Sequence, residues 1–513
     1  MNRVQPNQHL RNLRLVPRSL EELAIFRHRQ AALYSEVCEL YPETCAPPQL
    51  SIRIGGETFR FRHGITFTPY AAATPCTGSL NFRSNAFKSS PAMCQFCSER
   101  LIRCRDARLS SGRERDYVLT GVSSPACPSG TQTERGMALP RPAAPGGMKP
   151  SVEELLERPS LLIRNHPQYF ALLKQTLLQL RDLSGHMGLS LSGLEATSEP
   201  TWLGGLLGTI GDLEQQGLFR FDGKVLYSNG SGLYGHPELV RLLDELRWDS
   251  VQLSRAHHEA SRNARIMRFR QPAASEGVGQ QGPFEAVVGA LQRVAHPPQV
   301  QLSCVLSRPG VATIDEAEAY LRWALGLGVR TVVFRELSRL DGHYHSNPVA
   351  KFIDEERVDM LGLVGAILPC PAAPPEAALR PALPDGPAGP APEGRMLTAR
   401  PGWRFRHCQL GFYYYGEYFT YQPQPQPCQP QQAPGPGPAC EVAFESGNYE
   451  AFYRTLEGFG PVGPGGTAGR VVEKLVLHPD GSLCADWHPD SCRLATARQI
   501  LAQGSPQGQG PSA

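Results

Sequence analysis

The sequence ITFTPYAAATPCTGSLNFRSNAFKSSPAMCQFCSERL, residues 65–101, decides the fold prediction. It begins with a β-branched and aromatic run over 65–70, which predicts a strand. Cys76 follows that strand, residues 77–93 intervene, and Cys94 and Cys97 then form a C-Q-F-C pair that contains Phe96. In a long chain without a secretory signal, cysteines set close together indicate metal ligands or reactive thiols more strongly than a disulfide framework.

Composition and charge exclude several classes of protein. The 513 residues include 51 basic and 48 acidic side chains, a formal net charge of +3. This near balance gives no reason to expect nucleic acid or an anionic membrane as a partner. No window approaches the roughly 18–20 consecutive apolar residues that a membrane span requires. We therefore expect a soluble, cytoplasmic protein with no membrane partner.

Strand and helix patterns alternate regularly downstream of residue 150. Such alternation predicts right-handed β-α-β units and a parallel sheet, although periodicity alone does not choose between an open sheet and a partly closed barrel. After the first strand at 65–70, strands are predicted at 187–193, 223–230, 249–254, 300–306 and 329–337, and helices at 166–185, 201–217, 236–247, 284–295, 314–327 and 353–368.

The two ends of the chain differ from this central pattern. A helix is predicted at 18–45, and SIRIGGETFRFR predicts a hairpin that turns at Gly55 and Gly56. Proline-rich, low-complexity runs divide the C-terminal part. The expected organisation is an N-terminal helix and hairpin extension (1–62), a core (63–370) with an insertion near 104–150, a Pro/Ala/Gly-rich linker (371–402), a C-terminal β-containing appendage (403–500) and a disordered tail (501–513).

Polar breaks follow several of the predicted strands. In parallel α/β sheets, ligands gather at the carboxyl ends of the strands, so these breaks are expected to line one site. Three thiolates are also fewer than the four ligands of a closed zinc or iron–sulfur site. The breaks are Cys76 after the first strand, Ser192-Gly193-Leu194-Glu195 after the second, Ser228-Asn229-Gly230 after the third and Ser254-Arg255 after the fourth.

These residues resemble the signature of the radical SAM superfamily, in particular its molybdenum-cofactor-biosynthesis-like and peptide-maturase-like members. That family carries C-x3-C-x-aromatic-C after its first strand and a G-G-E-type motif after its second. Cys76, Cys94 and Cys97 match the three cysteines with the first gap expanded to C-x17-C, and Phe96 matches the aromatic residue. Gly193 and Glu195 match the second motif. The resemblance covers the alternation from 65 to about 337.

The resemblance implies a partial (β/α)6 TIM-like barrel. It also implies a [4Fe-4S] cluster on the three cysteines and S-adenosylmethionine bound at the free iron, which is cleaved reductively to a 5′-deoxyadenosyl radical. A flavodoxin- or ferredoxin-like reductant and a substrate peptide or small molecule would be its partners, without nucleic acid. The implied cofactor-binding residues are Phe96, Gly193, Glu195, Asn229, Ser254 and Arg255.

Other interpretations of the cysteines stay open at this point. The C-Q-F-C pair also suits a zinc knuckle completed by Cys76 and by Cys104 or Cys127, on a zinc-stabilised binding protein. A catalytically silent relative that keeps the cluster is a further alternative. The later cysteines lack close pairs, so free thiols are expected there and an auxiliary cluster is the alternative; these are Cys408, Cys428, Cys440, Cys484 and Cys492.

Overall fold

The computed structural model describes most of the predicted core and parts of both ends. Cys76, Cys97 and the predicted insertion at 104–150 lie outside the described residues, as do Cys428 and Cys492. The described residues are 13–17, 19–40, 49–70, 94–96, 166–193, 195–267, 282–338, 348–371, 399–411, 414–424, 438–447, 471–478, 481–485 and 493–504.

The N-terminal hairpin leads directly into the first parallel strand. The elements are β1 (Leu13–Leu15), α1 (Leu20–Leu40), β2 (Gln49–Ile54) and β3 (Glu57–Pro69). Gly55 and Gly56 turn the hairpin with φ values of 60° and 97°, a left-handed conformation that glycine adopts without steric cost. The predicted hairpin is confirmed, but its second strand and the strand predicted at 65–70 are one continuous strand.

Helices and strands alternate through the core as predicted. The predicted single helix at 353–368 is wrong, because Asp359 accepts hydrogen bonds from the amides of Leu361 and Gly362 and so begins a second helix. The elements are α2 (His166–Gln179), β4 (Met187–Leu191), α3 (Pro200–Gln215), β5 (Gly223–Ser228), α4 (Ser231–Gly235), α5 (Pro237–Glu245), β6 (Ser250–Ser254), α6 (Ala260–Ile266), α7 (Pro283–Arg293), β7 (Gln299–Leu306), α8 (Ile314–Gly326), β8 (Thr331–Glu336), α9 (Pro348–Glu356) and α10 (Met360–Ile367).

Strands β3 to β8 pair in parallel and in chain order. Thr66 lies opposite Gly188, Val225 opposite Ser250, and Leu302 opposite Val332. Each pair of neighbouring strands is joined by a segment that contains a helix, which is the arrangement expected of successive β-α-β units. The mixed α/β class and the parallel sheet are therefore as predicted.

The C-terminal strands extend this sheet at both edges. Strand β11 pairs in parallel with β8, and β12 pairs in parallel with β3. An edge strand exposes unpaired N–H and C=O groups, and here the C-terminal strands satisfy them. The added elements are β9 (Trp403–Gly411), β10 (Tyr414–Tyr421), β11 (Cys440–Gly447), β12 (Val471–Leu477), β13 (Leu483–Cys484), β14 (Arg493–Ala495) and α11 (Ala497–Gly504).

Antiparallel strands flank the eight-stranded parallel run. The order across the sheet is β1-β9-β10-β11-β8-β7-β6-β5-β4-β3-β12-β13-β14, and β2 also pairs with β3. Strand β10 occupies the outer edge of β11, and β13 occupies the outer edge of β12. Within the described ranges the sheet is therefore open, and no pairing of β11 with β12 closes it into a barrel.

The two faces of the parallel sheet differ in chemistry. On one face, side chains such as Leu253, Leu302 and Phe334 join the helices in one large apolar core. Successive residues of a strand point to opposite faces, so the other face carries the alternate side chains. That face is rich in hydroxyl and amide groups, including Thr66, Thr68, Ser190, Tyr227, Ser250, Gln252, Ser254, Gln301 and Ser303.

A buried ion pair fastens α1 to the C-terminal strands. Both carboxylate oxygens of Glu417 on β10 accept from Arg27, at 2.6 Å from Nε and 2.8 Å from Nη2. Tyr415 donates to the same carboxylate at 2.8 Å. The Glu417 side chain is fully buried, and a bidentate pair of this kind holds both groups in one geometry.

None of the helices in the described part of the chain is both long enough and apolar enough to cross a membrane.

We expect Glu417→Gln to lower the free energy of unfolding by about 3–5 kcal/mol, because it leaves the buried Arg27 guanidinium without its counter-charge. The matched control is Arg241→Gln, which breaks an exposed pair with Glu245 on α5 and should cost at most about 0.5 kcal/mol. Urea unfolding followed by circular dichroism measures both. Equal effects of the two substitutions would contradict the role given to the Arg27–Glu417 pair.

Candidate functional site

The described part of the cysteine motif lies at the carboxyl end of the parallel sheet. The amide of Gln95 donates to the carbonyl of Ile266 at 3.2 Å, and the Cys94 thiol lies 3.7 Å from the carbonyl of Met267. Both carbonyls belong to the end of α6 and its next residue. Cys94 is therefore held beside the segment that follows β6.

Phe96 packs between the ends of two strands. It contacts a small apolar cluster of Ala256, Ile266 and Met267, in which Ala256 comes two residues after the end of β6. It also packs against a second apolar cluster, which contains Leu337, the residue directly after β8. The aromatic ring thus anchors the C-Q-F-C segment across the rim of the sheet, where the sequence predicts the site.

Glu195 joins the ends of β4 and β5. Its Oε1 accepts from the Thr197 hydroxyl at 2.5 Å and from the Ser228 hydroxyl at 2.7 Å, and its Oε2 accepts from the Asn229 amide at 2.6 Å. The Thr197 amide donates to Oε1 as well, at 3.3 Å. Burial raises the pKa of this carboxyl, and these four hydrogen bonds oppose the shift.

The hydrogen bonds of Glu195 are all made within the protein. The side chain is 2% exposed, and both oxygens accept hydrogen bonds from the protein's own groups. It is a positioning residue that fixes the loops after β4 and β5. Gly193, two residues earlier, has a φ of 107°, a left-handed conformation that suits glycine.

Asn229 and Ser254 lie where the sequence predicts them, after β5 and at the end of β6. The Asn229 carbonyl oxygen Oδ1 accepts from the amide and the hydroxyl of Ser231, at 2.9 Å and 2.6 Å. Asn229 therefore orders the turn that leads into the short helix α4, which begins at Ser231. Ser254 is half-buried and projects from the face opposite the helices.

Arg255 points to the helix side of the sheet. Its guanidinium lies 4.6 Å above the ring centroid of Phe284 and 5.2 Å from that of Trp323. Nε donates to the carbonyl of His257 at 3.0 Å, and Nη2 donates to the carbonyl of His258 at 3.2 Å. These contacts engage the guanidinium within the protein.

His257, His258 and Glu259 form a compact group at the same rim, with one potential metal-ligating atom each, all within 4.8 Å of one another. The two imidazole rings are stacked, with centroids 4.3 Å apart and planes 26° apart. Ring lone pairs lie in the ring plane, so nearly parallel stacked rings direct them poorly toward one ion. The His257 Nδ1 also accepts from the Glu259 amide at 3.0 Å, which places the proton of the neutral ring on Nε2.

The later cysteines that the structure describes lie apart. Cys408 is buried on β9 beside the Tyr415 hydroxyl, and Cys440 begins β11. Cys484 lies on β13, beyond the opposite edge of the parallel run. Among the described residues, no metal-ligating group of three includes a cysteine. Burial raises the pKa of the Cys440 thiol to about 12, as expected of an inert buried cysteine.

The sequence interpretation missed two partners of Glu195. Ser228 was part of the quoted S-N-G break, but its hydroxyl bond to Glu195 was not foreseen, and Thr197 was not singled out. The available signal was the sequence E-A-T-S itself, because a Thr or Ser two or three residues after an acidic side chain commonly forms a local cap.

No model of a known protein family matches the chain, and no curated protein matches it. Three of the matching solved structures are those of SuiB from Streptococcus suis, bound to the precursor peptide SuiA, bound to S-adenosylmethionine, and without a named ligand. Each alignment has 10% sequence identity and covers 34%, 38% and 38% of this chain, with TM-scores of 0.24, 0.25 and 0.24. The alignments span 33%, 40% and 42% of the SuiB chains, so this similarity is local.

We expect Glu195→Gln to destabilise the protein by roughly 2–3 kcal/mol. The new amide nitrogen must face either the Asn229 N–H or the hydroxyls of Thr197 and Ser228, all of which donate to Glu195. Glu199→Gln is the matched control, since the Glu199 side chain makes no capping hydrogen bond to α3 and should change stability by less than about 0.5 kcal/mol. Thermal unfolding at neutral pH measures both. A stable Glu195→Gln variant would contradict the four-bond arrangement.

We expect the protein to lose stability as the pH falls from about 6.5 towards 4. Burial, then the charges of His258 and Arg262, lower the pKa of His257 to about 4, so the unfolded chain takes up a proton that the folded chain does not. This contribution is complete above the unfolded pKa of about 6.5 and is lost below it.

The His257→Asn variant tests this expectation, because the Asn oxygen can still accept from the Glu259 amide but does not titrate. Its unfolding midpoint in urea should depend less on pH between 6.5 and 4.5 than that of the wild type. His236→Asn, at an exposed site, should keep the wild-type slope. An unchanged slope in His257→Asn would rule out a neutral buried imidazole.

Proposed function

We propose that this chain is a radical SAM enzyme. Cys76, Cys94 and Cys97 would hold a [4Fe-4S] cluster, and S-adenosylmethionine would bind beside it at the carboxyl ends of the parallel strands. When bound, such a cluster supplies the electron that cleaves S-adenosylmethionine and starts hydrogen abstraction from a substrate. A small reducing protein of the flavodoxin or ferredoxin kind would deliver that electron.

The position of Cys94 and Phe96 is the observation that carries this proposal. The sequence motif predicts that the C-Q-F-C pair returns to the carboxyl ends of the strands despite the seventeen intervening residues 77–93. The hydrogen bond of Gln95 to Ile266 and the packing of Phe96 against the apolar cluster that contains Leu337 lie at that rim. The ligand chemistry also fits, because Cys94 is half-buried and its thiol meets only a weak carbonyl contact at 3.7 Å among the described residues.

The chain's own residues have separate tasks in this proposal. Phe96 would shield the iron–sulfur cluster from water at the rim, since its ring packs against two groups of apolar side chains. Glu195 holds the loops after β4 and β5 in one geometry, so that backbone groups near Gly193 can approach a ligand closely. Ser254, at the end of β6, offers a hydroxyl on the same face as the polar side chains of the sheet.

Anaerobic purification followed by iron and sulfide analysis tests the cluster. We expect near-equal iron and sulfide in the wild type, and loss of both in Cys76→Ala, Cys94→Ala and Cys97→Ala. With dithionite and S-adenosylmethionine, the wild type should release methionine or 5′-deoxyadenosine, and the three variants should not. Cys440→Ala is the matched control, because this buried thiol lies at the start of β11 and should leave cluster content unchanged.

Three other results would contradict parts of the proposal. Colourless protein that contains zinc would favour the zinc-stabilised binding protein. A cluster without cleavage of S-adenosylmethionine would favour a catalytically silent relative. Full cluster content in Cys94→Ala would overturn the ligand assignment.

A further inference from the structure

Gln252 is a buried amide with no hydrogen-bond partner among the described residues. It lies in the middle of β6, it is 1% exposed, and both its Oε1 and its Nε2 are buried and unpaired there. A buried polar group without a partner costs about 1–3 kcal/mol, so native proteins rarely keep one without a reason. The side chain thus has a donor and an acceptor in one plane, and neither is paired within the described part of the fold.

Neighbouring side chains extend this polar surface. Gln301 on β7 lies directly opposite Gln252 and is 5% exposed, and Tyr227 on β5 lies opposite on the other side. Because both amide atoms of Gln252 lack a partner, the two glutamines do not bond to each other. Ser250, two residues earlier on the same face, is fully buried and its hydroxyl also lacks a described partner.

The orientation of these side chains follows from their strands. Val251 and Leu253 belong to the apolar core that the helices cover, so Gln252 projects from the other face. Val300 and Leu302 place Gln301 on that same face. Parallel strands that are covered on both faces normally read as continuous apolar runs, and the alternation here departs from that pattern.

The chemistry of this patch selects a neutral ligand. Tyr227, Gln252 and Gln301 are uncharged, and no charged residue stands in this register row on β5, β6 or β7. On the same face, Glu441 of β11 lies two strands from Gln301 in this row, and Arg335 of β8 pairs with Glu445 of β11 at 3.3 Å closer to the carboxyl ends. A group that offers both an N–H and a carbonyl oxygen would satisfy the Gln252 amide in both directions.

We propose that Gln252, with Gln301 beside it, binds a neutral amide group of a peptide ligand on the face of the sheet opposite the helices. Calling this ligand the substrate rests on the proposed function, but the binding itself does not. Within the proposed enzyme, the peptide would extend from the carboxyl rim to the middle of the strands. Gln252 would then determine which amide group of the peptide binds at the middle of the strands, below the carboxyl rim.

Stability separates a ligand-binding amide from a structural one. Gln252→Met has a similar volume and removes the unpaired donor and acceptor, so we expect the ligand-free protein to melt about 1–3 °C higher. Gln299→Met is the matched control, because Gln299 Nε2 already donates to Thr331 at 3.1 Å on the neighbouring strand. That control should melt lower than the wild type. A lower melting temperature for Gln252→Met would show that its amide is satisfied within the fold and would overturn the proposal.

Binding of small probes tests the chemistry. The full chain is titrated with N-acetylglycine N-methylamide, which carries two amides and no charge, and binding is followed by saturation-transfer NMR. We expect binding to the wild type and to Gln299→Met, and about tenfold weaker binding to Gln252→Met. Adenosine and acetate should not compete. Binding of adenosine with no binding of the diamide would point to a nucleobase site and overturn the proposal.

The same titration on Cys94→Ala separates this inference from the proposed function. Binding of the diamide to that variant would support the amide site whether or not a cluster forms. Loss of S-adenosylmethionine cleavage bears on the cluster alone. Absence of binding to both the wild type and Cys94→Ala would overturn the amide site and leave the cluster assignment intact.

Discussion

The backbone hydrogen bonds that join β3 to β8 in chain order are the constraint on which the rest of the structure depends. Because six successive strands run in one direction, all six carboxyl ends meet at one rim. Loops that are far apart in sequence therefore become neighbours. Phe96 packs against the cluster that contains Ala256 and the cluster that contains Leu337, because β6 and β8 end at this rim.

A parallel sheet of this kind has two edge strands with unpaired backbone N–H and C=O groups. The C-terminal part of the chain pairs with both of them. Strand β11 covers β8 and β12 covers β3, so a single tail protects two edges that lie on opposite sides of the sheet. The antiparallel strands β10 and β13 then occupy the next positions outward. The buried Arg27–Glu417 pair ties the N-terminal helix to this outer layer, which links both ends of the chain to the core.

The central strands and helices could be predicted because their signals are local. Gly223–Ser228 and Gln299–Leu306 lie within two residues of the predicted bounds, since alternating apolar residues and flanking turns mark them. The pairing partners of β11 and β12 could not be predicted in this way. For example, nothing within Cys440–Gly447 indicates that it pairs with β8, which lies more than a hundred residues upstream. At the site, the sequence predicts the position of Glu195 after β4, but its bonds to Thr197 and Ser228 depend on tertiary geometry.

Glu195 and Gln252 show how differently the fold treats its buried polar groups. The carboxyl group of Glu195 receives four hydrogen bonds from its own chain, and these bonds fix the loops after β4 and β5. The amide of Gln252 receives none from the described residues, although it is equally buried and lies on a neighbouring part of the same sheet. A ligand amide could pair with both of its atoms, and that complementarity is the basis of the proposed site.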